Sequence, residues 1–281
     1  MESTCFDLTI ENKIARLMLK RPDAFNSMPR AFWNELPELV HEIDEGAKAR
    51  VIVVSSTGKH FTAGMDLSVF SDGAGMPHAE GDAGAAARGE ALRQFVLTLQ
   101  ATFSCFENVR MPVIAAVQGG CIGAGVDMIS ACDIRYATED AFFQIQEINI
   151  GMTADVGTFP RLCKLIPEGW VRELAYAGRR LPAAKAKEIG LVNDVFPTQE
   201  AMLAHVMALA GEIAEKSPLA VAGSKRMINY ARDHSIADGL DYIATWQAGM
   251  FAPPHMMEAF AAKAEKRAPN YPDLHPLLKR M

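Results

Sequence analysis

PVIAAVQGGCIGAGVDMISACDIRYA, residues 112–137, contains one complete strand–turn–helix–strand unit. The apolar run Pro112–Val117 predicts a buried strand, and the glycine-rich residues 118–125 predict a tight turn after it. A short apolar helix is expected to end at Ala131, and Ile134–Ala137 is expected to form the next strand. This order of elements is typical of an α/β domain.

The same alternation of strands and helices extends outward through the first two thirds of the chain. The pattern predicts a hairpin, an amphipathic helix capped by Asn26 or Ser27, a buried strand, a mobile loop beside a site, a long helix and two more strands. The hairpin is Phe6–Ile10 with Ile14–Leu19, the amphipathic helix is Pro29–Glu45, and the buried strand is Val51–Ser55. The loop is residues 71–89, the long helix is Gly89–Asn108, and the two further strands are Ala141–Gln146 and Leu191–Phe196.

Helices dominate from Asp155 onward, apart from that last strand. We therefore expect residues 1–196 to form a core that carries the site, and residues 197–281 to form a helical C-terminal region. Wide apolar faces in this region either cover the core or meet partner subunits. An example is the face made by Met202, Val206, Leu209 and Ile213.

Composition excludes several classes of function. The chain has 281 residues, 49% of them hydrophobic, and a formal net charge of −6, so neither a nucleic-acid nor a membrane-surface partner is expected. No apolar run is long enough to predict a membrane span, and the histidines and cysteines lack metal-ligand spacing. The five cysteines are expected to be reduced core thiols, and a cytoplasmic location is expected because the N-terminal residues resemble no targeting segment.

Three carboxylates, Asp127, Glu147 and Asp155, interrupt apolar sequence in the middle of the chain. Acidic side chains are rarely buried unless paired, and a lone buried carboxylate tends to hold a proton. Each also has an ordinary structural alternative. Asp127 could be a helix residue bonded to the backbone or to an arginine, Glu147 the solvent-facing end of a strand, and Asp155 a helix cap. Together they predict a dry pocket that handles protons. Other charged residues nearby are expected at the surface: Asp133, Arg135, Glu139 and Asp140.

Two strand-to-loop turns carry small residues. One is Lys59–Leu67, with Ala63 and Gly64, and the other is the glycine-rich stretch Gly119–Gly125. Small residues let backbone N–H groups approach a ligand, and two such loops can each direct one N–H group at a developing oxyanion. The second stretch lacks the order of a dinucleotide fingerprint and the lysine of a phosphate loop. Tight packing of a helix against a strand is the alternative.

These segments resemble the enoyl-CoA hydratase/isomerase (crotonase) superfamily over nearly the whole chain. Within it, the carboxylate set, with spacings of 20 and 8 residues, resembles most the subgroup of delta(3,5)-delta(2,4)-dienoyl-CoA isomerases. Hydratases carry Glu at the position of Asp127 and no carboxylate at the position of Asp155. The landmarks of the superfamily are Arg21-Pro22, Asn26, Phe61-x-Ala63-Gly64-Met65-Asp66-Leu67, residues 112–119, Ser130–Ile134, and Glu265–Arg267 with Pro269.

The resemblance implies a fold, an assembly and a substrate. The fold is an α/β spiral of ββα turns with a helical C-terminal trimerisation region, and the assembly is a homotrimer or a dimer of trimers. The substrate is an acyl-CoA thioester, with no separate cofactor and no metal. Its carbonyl oxygen would accept hydrogen bonds from the backbone N–H groups of Met65 and Ala124. Ala124 stands where the family usually has Gly.

The resemblance also implies residues that contact CoA or the acyl chain. Lys266 would reach the CoA phosphates, from its own subunit or a neighbouring one, whereas Ser68 replaces a lysine that hydratases carry. The full set is Ala24, Lys59, Ala63, Gly64, Met65, Asp66, Leu67, Gly125 and Lys266.

The implied reaction converts a 3,5-dienoyl-CoA into a 2,4-dienoyl-CoA in the β-oxidation of unsaturated fatty acids. One proton leaves C2 and another is added at C6, through a dienolate intermediate. Glu147 is assigned to C2 and Asp155 to C6, with the reverse assignment open, and Asp127 tunes the pair. Two alternatives remain: a 2-enoyl-CoA hydratase that uses Asp127 and Glu147 around a water, and a non-catalytic scaffold with the same fold.

Overall fold

The computed structural model describes residues 3–66, 68–71 and 82–278. No helix in these ranges is long and apolar enough to cross a membrane. The strands are β1 (Phe6–Glu11), β2 (Ile14–Leu19), β3 (Val51–Ser56), β4 (Val113–Val117), β5 (Gly120–Ile122), β6 (Ile134–Thr138), β7 (Phe142–Gln144), β8 (Leu181–Pro182) and β9 (Asp194–Phe196). The helices are α1 (Arg30–Glu45), α2 (Ser68–Ser71), α3 (Asp82–Asn108), α4 (Ala124–Ser130), α5 (Thr158–Leu165), α6 (Glu168–Ala177), α7 (Ala183–Glu188), α8 (Gln199–Ala214), α9 (Pro218–Asp233), α10 (Ile236–Met250) and α11 (Pro253–Glu265).

Six strands form the main sheet, in the order β1-β2-β3-β4-β6-β9. The antiparallel pairing of β1 with β2 confirms the predicted hairpin, and every later pairing in this sheet is parallel. A second sheet has the order β5-β7-β8. Its first strand comes from the glycine-rich stretch that the sequence predicted to be only a turn, because Gly120 pairs with Phe142 of β7. The predicted α/β class is confirmed.

The main sheet is buried on both faces, which explains why its central strands are apolar throughout. One face packs against α1 and α3 within the larger apolar core. The other face, with Val51, Val53 and Ile114, is covered by α8. The C-terminal region therefore covers the core through at least this helix, by way of the buried residues Met202, Val206, Ala210 and Ala214.

A buried lysine ties α9 to the core. The side chain of Lys225 is 5% exposed, and its Nζ lies 2.8 Å from a carboxylate oxygen of Asp133. It also donates to the carbonyl oxygens of Phe106 at 2.6 Å and Met111 at 2.9 Å. A buried ammonium with three acceptors is fully satisfied, so this contact fixes α9 on the end of α3.

Two helices begin elsewhere than the sequence predicted. Helix α3 starts at Asp82, so residues 82–89 of the expected loop are helical, and residues 72–81 lie outside the described ranges. The first residue before α1 is Pro29, with no side-chain cap, so the predicted cap at Asn26 or Ser27 is wrong. The 3₁₀ turn Pro22–Ala24 and the bends after it place both residues ahead of the helix start.

Two predictions of burial are also wrong. Arg135 is buried, because its guanidinium donates to the carbonyl oxygens of Cys132 at 2.5 Å and Leu191 at 2.7 Å. Cys163 is exposed, whereas the four other thiols are buried as expected and all five are free.

Candidate active site

A cleft of about 830 Å³ opens where the loop after β3, the start of α4 and the segment after β7 meet. Phe25 and Met152 lie on its walls, so the cleft is partly apolar. It brings together most of the residues that the sequence singled out. These are Ala24, Ala63, Gly64, Met65, Asp66, Ala124, Glu147 and Asp155.

Gly64 and Ala124 lie side by side because the two predicted loops pair. A Cβ atom on Gly64 would lie 2.6 Å from the carbonyl oxygen of Ile122 and 3.4 Å from the backbone nitrogen of Ala124. Gly64 also has φ of +85°, which other residues rarely adopt. Glycine at this position is therefore required for the close approach of the loops.

Two backbone N–H groups at this junction have no partner among the described residues. The bridge between Met28 and Met65 uses the N–H groups of Met28 and Asp66, which leaves that of Met65 unused. Ala124 is the first residue of α4, where the helix itself provides no acceptor. Both N–H groups therefore have the character of oxyanion donors, at the wall of the cleft.

Asn26 holds the loop after β3 in place. It is buried, and its Nδ2 donates to the carbonyl oxygens of Thr57 at 2.8 Å and His60 at 3.0 Å. The hydroxyl of Thr62 donates to the carbonyl oxygen of Asn26 at 2.7 Å and accepts from the N–H of Gly64 at 3.1 Å. This network fixes the residue that precedes the Met65 donor.

Asp127 is 1% exposed and does not line the cleft. Its Oδ1 accepts hydrogen bonds from the N–H of Thr158 at 2.6 Å and from the hydroxyl of Thr158 at 2.8 Å, so it caps α5. Its Oδ2 is buried with no partner among the described residues. Burial raises the pKa of Asp127 to about 6, although the two hydrogen bonds from Thr158 oppose this rise.

Glu147 begins the 3₁₀ turn Glu147–Ile150 and is half-buried in the wall of the cleft. Its Oε1 lies 3.2 Å from where a Cβ atom of Gly123 would be, beside the Ala124 donor. Its Oε2 is buried with no partner in the described part of the chain. Burial, followed by the charge of Asp127, raises the pKa of Glu147 to about 7. This carboxylate can accept or release a proton near neutral pH.

Asp155 is an exposed residue on the cleft wall, so the expected burial is complete for Asp127, partial for Glu147 and wrong for this carboxylate. It is not the helix cap, because α5 begins at Thr158. The side chain of Gln100 donates to its carbonyl oxygen at 2.7 Å and fixes the loop. Partial burial raises the pKa of the Asp155 carboxyl above its ordinary value.

Some expected site residues lie elsewhere, and one lies outside the described ranges. Gly125 packs on Thr62, since a Cβ atom there would approach the Thr62 methyl to 2.5 Å. Lys59 and Lys266 are exposed and do not line the cleft, and Leu67 is not described. Within the described ranges, no three His, Cys, Asp or Glu side chains are placed as metal ligands.

The sequence missed several residues of the cleft. Arg180 lines it and stacks on the ring of Phe142, with its guanidinium carbon 4.2 Å from the ring centre. It precedes β8, and only the pairing of β8 with β7 brings it here, so no local pattern could have indicated it. The alternation of polar and apolar residues from the end of β7 onward could have indicated Gln144 and Gln146, which share the cleft face.

Comparisons with known proteins point to one family. A family model described as enoyl-CoA hydratase/isomerase matches residues 9–274. The mitochondrial delta(3,5)-delta(2,4)-dienoyl-CoA isomerase of Mus musculus is 44% identical over 258 residues, which cover 92% of this chain and 78% of that protein. The peroxisomal protein of the same name from Arabidopsis thaliana is 38% identical, and the match covers 94% of each chain. The crystal structure of an enoyl-CoA hydratase from Bacillus anthracis superposes with a TM-score of 0.84 at 30% identity, covering 95% of this chain and 99% of that one.

Proposed function

The chain belongs to the enoyl-CoA hydratase/isomerase family, and on that premise we propose that it is a dienoyl-CoA isomerase. It converts 3,5-dienoyl-CoA thioesters into 2,4-dienoyl-CoA thioesters in the β-oxidation of unsaturated fatty acids. The observation that carries this proposal is that Glu147 and Asp155 line one cleft beside two backbone N–H groups that have no partner among the described residues. The cytoplasmic location expected from the sequence stays a prediction, since the named relatives are mitochondrial or peroxisomal proteins.

The thioester oxygen binds between the N–H groups of Met65 and Ala124. Removal of a C2 proton leaves a dienolate whose negative charge is largest on this oxygen. Two preorganised donors stabilise that charge, and each is worth about 3 kcal/mol in comparable sites. The two loops that carry the donors are already held together through Gly64, so little reorganisation is needed.

Glu147 takes the proton from C2, and Asp155 gives a proton to C6. The pKa of Glu147, about 7, suits a base that must hold a proton during the reaction. Asp155 must begin protonated. Because it is exposed in the free protein, binding of an apolar acyl chain would remove water from its carboxyl and favour the neutral form. After turnover the two carboxyl groups exchange protonation states, and proton transfer between them or with solvent resets the site.

The CoA part extends past Ala24 and the Ala63–Asp66 loop, as the family resemblance implies. Arg180 is the cation that lines the described cleft wall, and it can take the phosphate role for which Ser68 offers no charge. Lys59 and Lys266 would contribute from outside the described cleft lining, Lys266 from its own subunit or from a neighbouring one of a trimer or a dimer of trimers. Exposed apolar residues on α9 to α11 are consistent with such an assembly; they include Ile228, Leu240, Met257 and Phe260.

Hydration is less well supported than isomerisation. A hydratase would need Asp127 and Glu147 to hold a water between them. Asp127 does not line the cleft, and one of its oxygens is already occupied by Thr158. The carboxylate that shares the cleft with Glu147 is Asp155, which suits proton transfer between two carbons.

Two parallel assays test the proposal. Incubation with 3,5-octadienoyl-CoA should produce the ultraviolet absorbance of a 2,4-diene, and incubation with crotonyl-CoA should consume much less substrate by hydration. Fast hydration without diene formation would indicate a hydratase, and no turnover of either substrate would indicate a scaffold. Near-full isomerase activity in Asp155→Asn or Glu147→Gln would contradict the two-carboxylate scheme.

Exchange in D2O tests which carboxylate acts at which carbon. In Asp155→Asn, Glu147 can still remove the C2 proton, so deuterium should enter C2 without net isomerisation. In Glu147→Gln that exchange should be absent. The opposite pattern would establish the reverse assignment.

A further inference from the structure

Thr158 makes an unusual pair of contacts with a carboxylate that lies outside the substrate cleft. Its N–H and its hydroxyl both donate to Oδ1 of Asp127, at 2.6 and 2.8 Å. Oδ2 of the same carboxylate is buried with no partner among the described residues. Burying a carboxylate oxygen without a hydrogen bond destabilises the folded protein. In Asp127, Oδ1 accepts two hydrogen bonds, whereas Oδ2 accepts none from the described residues.

Several titratable groups interact electrostatically with the Asp127 carboxyl group. Arg161 lies about one turn after Thr158 in α5, and its guanidinium forms an ion pair with Glu107 at 2.6 Å. The Nη1 atom of Arg161 is buried with no partner among the described residues, so this cation is not fully committed to Glu107. The groups that interact with Asp127 are Glu147 of the 3₁₀ turn, Asp155 of the loop before α5, Arg161 of α5 and the thiol of Cys121 on β5.

We propose that Thr158 is a positioning residue for isomerisation: its two donors keep Asp127 ionised, and this fixed charge sets the proton affinity of Glu147. The inference rests on the proposed function, because it assigns Glu147 the role of proton acceptor. Thr158 is 1% exposed and does not line the cleft, so it acts only through Asp127.

The order in which the two carboxyl groups ionise follows from these contacts. Two hydrogen bonds from Thr158 stabilise the ionised form of Asp127, whereas no other side chain among the described residues donates to Glu147, and its Oε2 has no partner there. Asp127 is therefore the first to ionise as the pH rises, and its charge then opposes ionisation of Glu147. Without the Thr158 hydroxyl, Asp127 would hold its proton longer, and Glu147 would ionise at a lower pH and be a weaker base.

The test compares Thr158→Val, which removes the hydroxyl at nearly constant shape, with Thr158→Ser, which keeps it. In an Asp155→Asn background, where C2 deuterium exchange depends on Glu147, the valine change should move the rise of that exchange with pH, measured on 3,5-octadienoyl-CoA, to lower pH by roughly half a unit or more. The kcat of Thr158→Val alone should fall by up to about threefold for each half-unit of that shift, with little change in KM. The serine variant should restore both. Thr102→Val is the matched control, since it removes another buried hydroxyl, one that donates to the carbonyl oxygen of Trp33.

A titration without substrate separates this inference from the proposed function. The carboxyl carbon of Glu147, followed by NMR in ¹³C-labelled protein and identified by its loss in Glu147→Gln, should titrate at lower pH in Thr158→Val. Asp127→Asn, which keeps an acceptor for Thr158 and removes the charge, should shift it in the same direction even if the valine variant fails to fold. An unmoved midpoint would overturn the role of Thr158. A wild-type protein that forms no 2,4-diene would instead refute the isomerase proposal, and the NMR midpoint would then decide the Thr158 inference by itself.

Discussion

Replacing Asp127 by Asn should make the folded protein relatively more stable as the pH rises. Asp127 is 1% exposed, and its pKa of about 6 in the folded state compares with 3.8 for an ordinary aspartate. A raised pKa means that the folded state binds the proton more tightly. Stability from this proton is fully present below pH 3.8 and is lost as the pH rises through about 6.

The magnitude follows from the two pKa values. Ionised Asp127 costs the wild-type protein about 3 kcal/mol at pH 8 and about half of that at pH 5. The asparagine oxygen can keep both hydrogen bonds from Thr158, while its unpaired amide adds a penalty of about 1–3 kcal/mol that does not depend on pH. Between pH 5 and pH 8, the free energy of unfolding of Asp127→Asn should therefore gain about 1.4 kcal/mol on that of the wild type.

Urea unfolding of both proteins at pH 5, 6.5 and 8, followed by tryptophan fluorescence at one subunit concentration, measures this difference. Asp23→Asn is the control, because Asp23 is exposed and its substitution should give no such trend. A difference between wild type and Asp127→Asn that stays constant across the three pH values would refute the reasoning. So would a difference that changes in the opposite direction.

Three further substitutions or conditions test the site. In Asp155→Asn, the rate of C2 deuterium exchange in 3,5-octadienoyl-CoA should rise about tenfold from pH 6 to pH 8, because the pKa of Glu147 is about 7 and its ionised form removes the C2 proton. Adding Glu147→Gln should abolish this rise, and a flat exchange profile in Asp155→Asn would contradict the assignment of Glu147 as base. Gly64→Ala would place a Cβ atom 2.6 Å from the carbonyl oxygen of Ile122 and should lower kcat by about 10²-fold or more, whereas Gly169→Ala, in open space, should have no effect. Arg180→Gln should raise KM about tenfold for a CoA thioester and leave KM unchanged for the matching pantetheine thioester, which lacks the nucleotide phosphates; equal effects on both would exclude a phosphate contact.

The sequence predicted most of the main sheet because its central strands contain apolar runs, four residues at the start of β3 and all five of β4. It also identified Asp127 as buried, because apolar residues flank this carboxylate on both sides in a short helix. The strand β5 was missed because glycine gives no strand signal, and it forms only through pairing with β7.

The remaining misses concern contacts between distant parts of the chain. Arg135 was expected at the surface because its sequence neighbours are charged. It is buried instead, and its guanidinium donates a hydrogen bond to the carbonyl oxygen of Leu191, 56 residues later. A helix cap was the ordinary structural alternative for Asp155, but the carboxylate that accepts the first N–H of α5 is Asp127, 31 residues before Thr158. Arg180 enters the cleft through β8. Local patterns carry no information on which distant acceptor or strand a residue will meet.

The covering of the main sheet by α8 has a consequence for how the chain folds during synthesis. Gln199, at the start of α8, bonds to the carbonyl oxygen of Ser56 at the end of β3, across 143 residues. A ribosome that adds about 5–20 residues per second needs roughly 7–30 seconds to bridge that interval. Throughout it, the apolar face that includes Val51 and Val53 has no helix to cover it. The nascent chain therefore passes through a prolonged aggregation-prone stage, and protection by a chaperone would matter most before α8 leaves the exit tunnel.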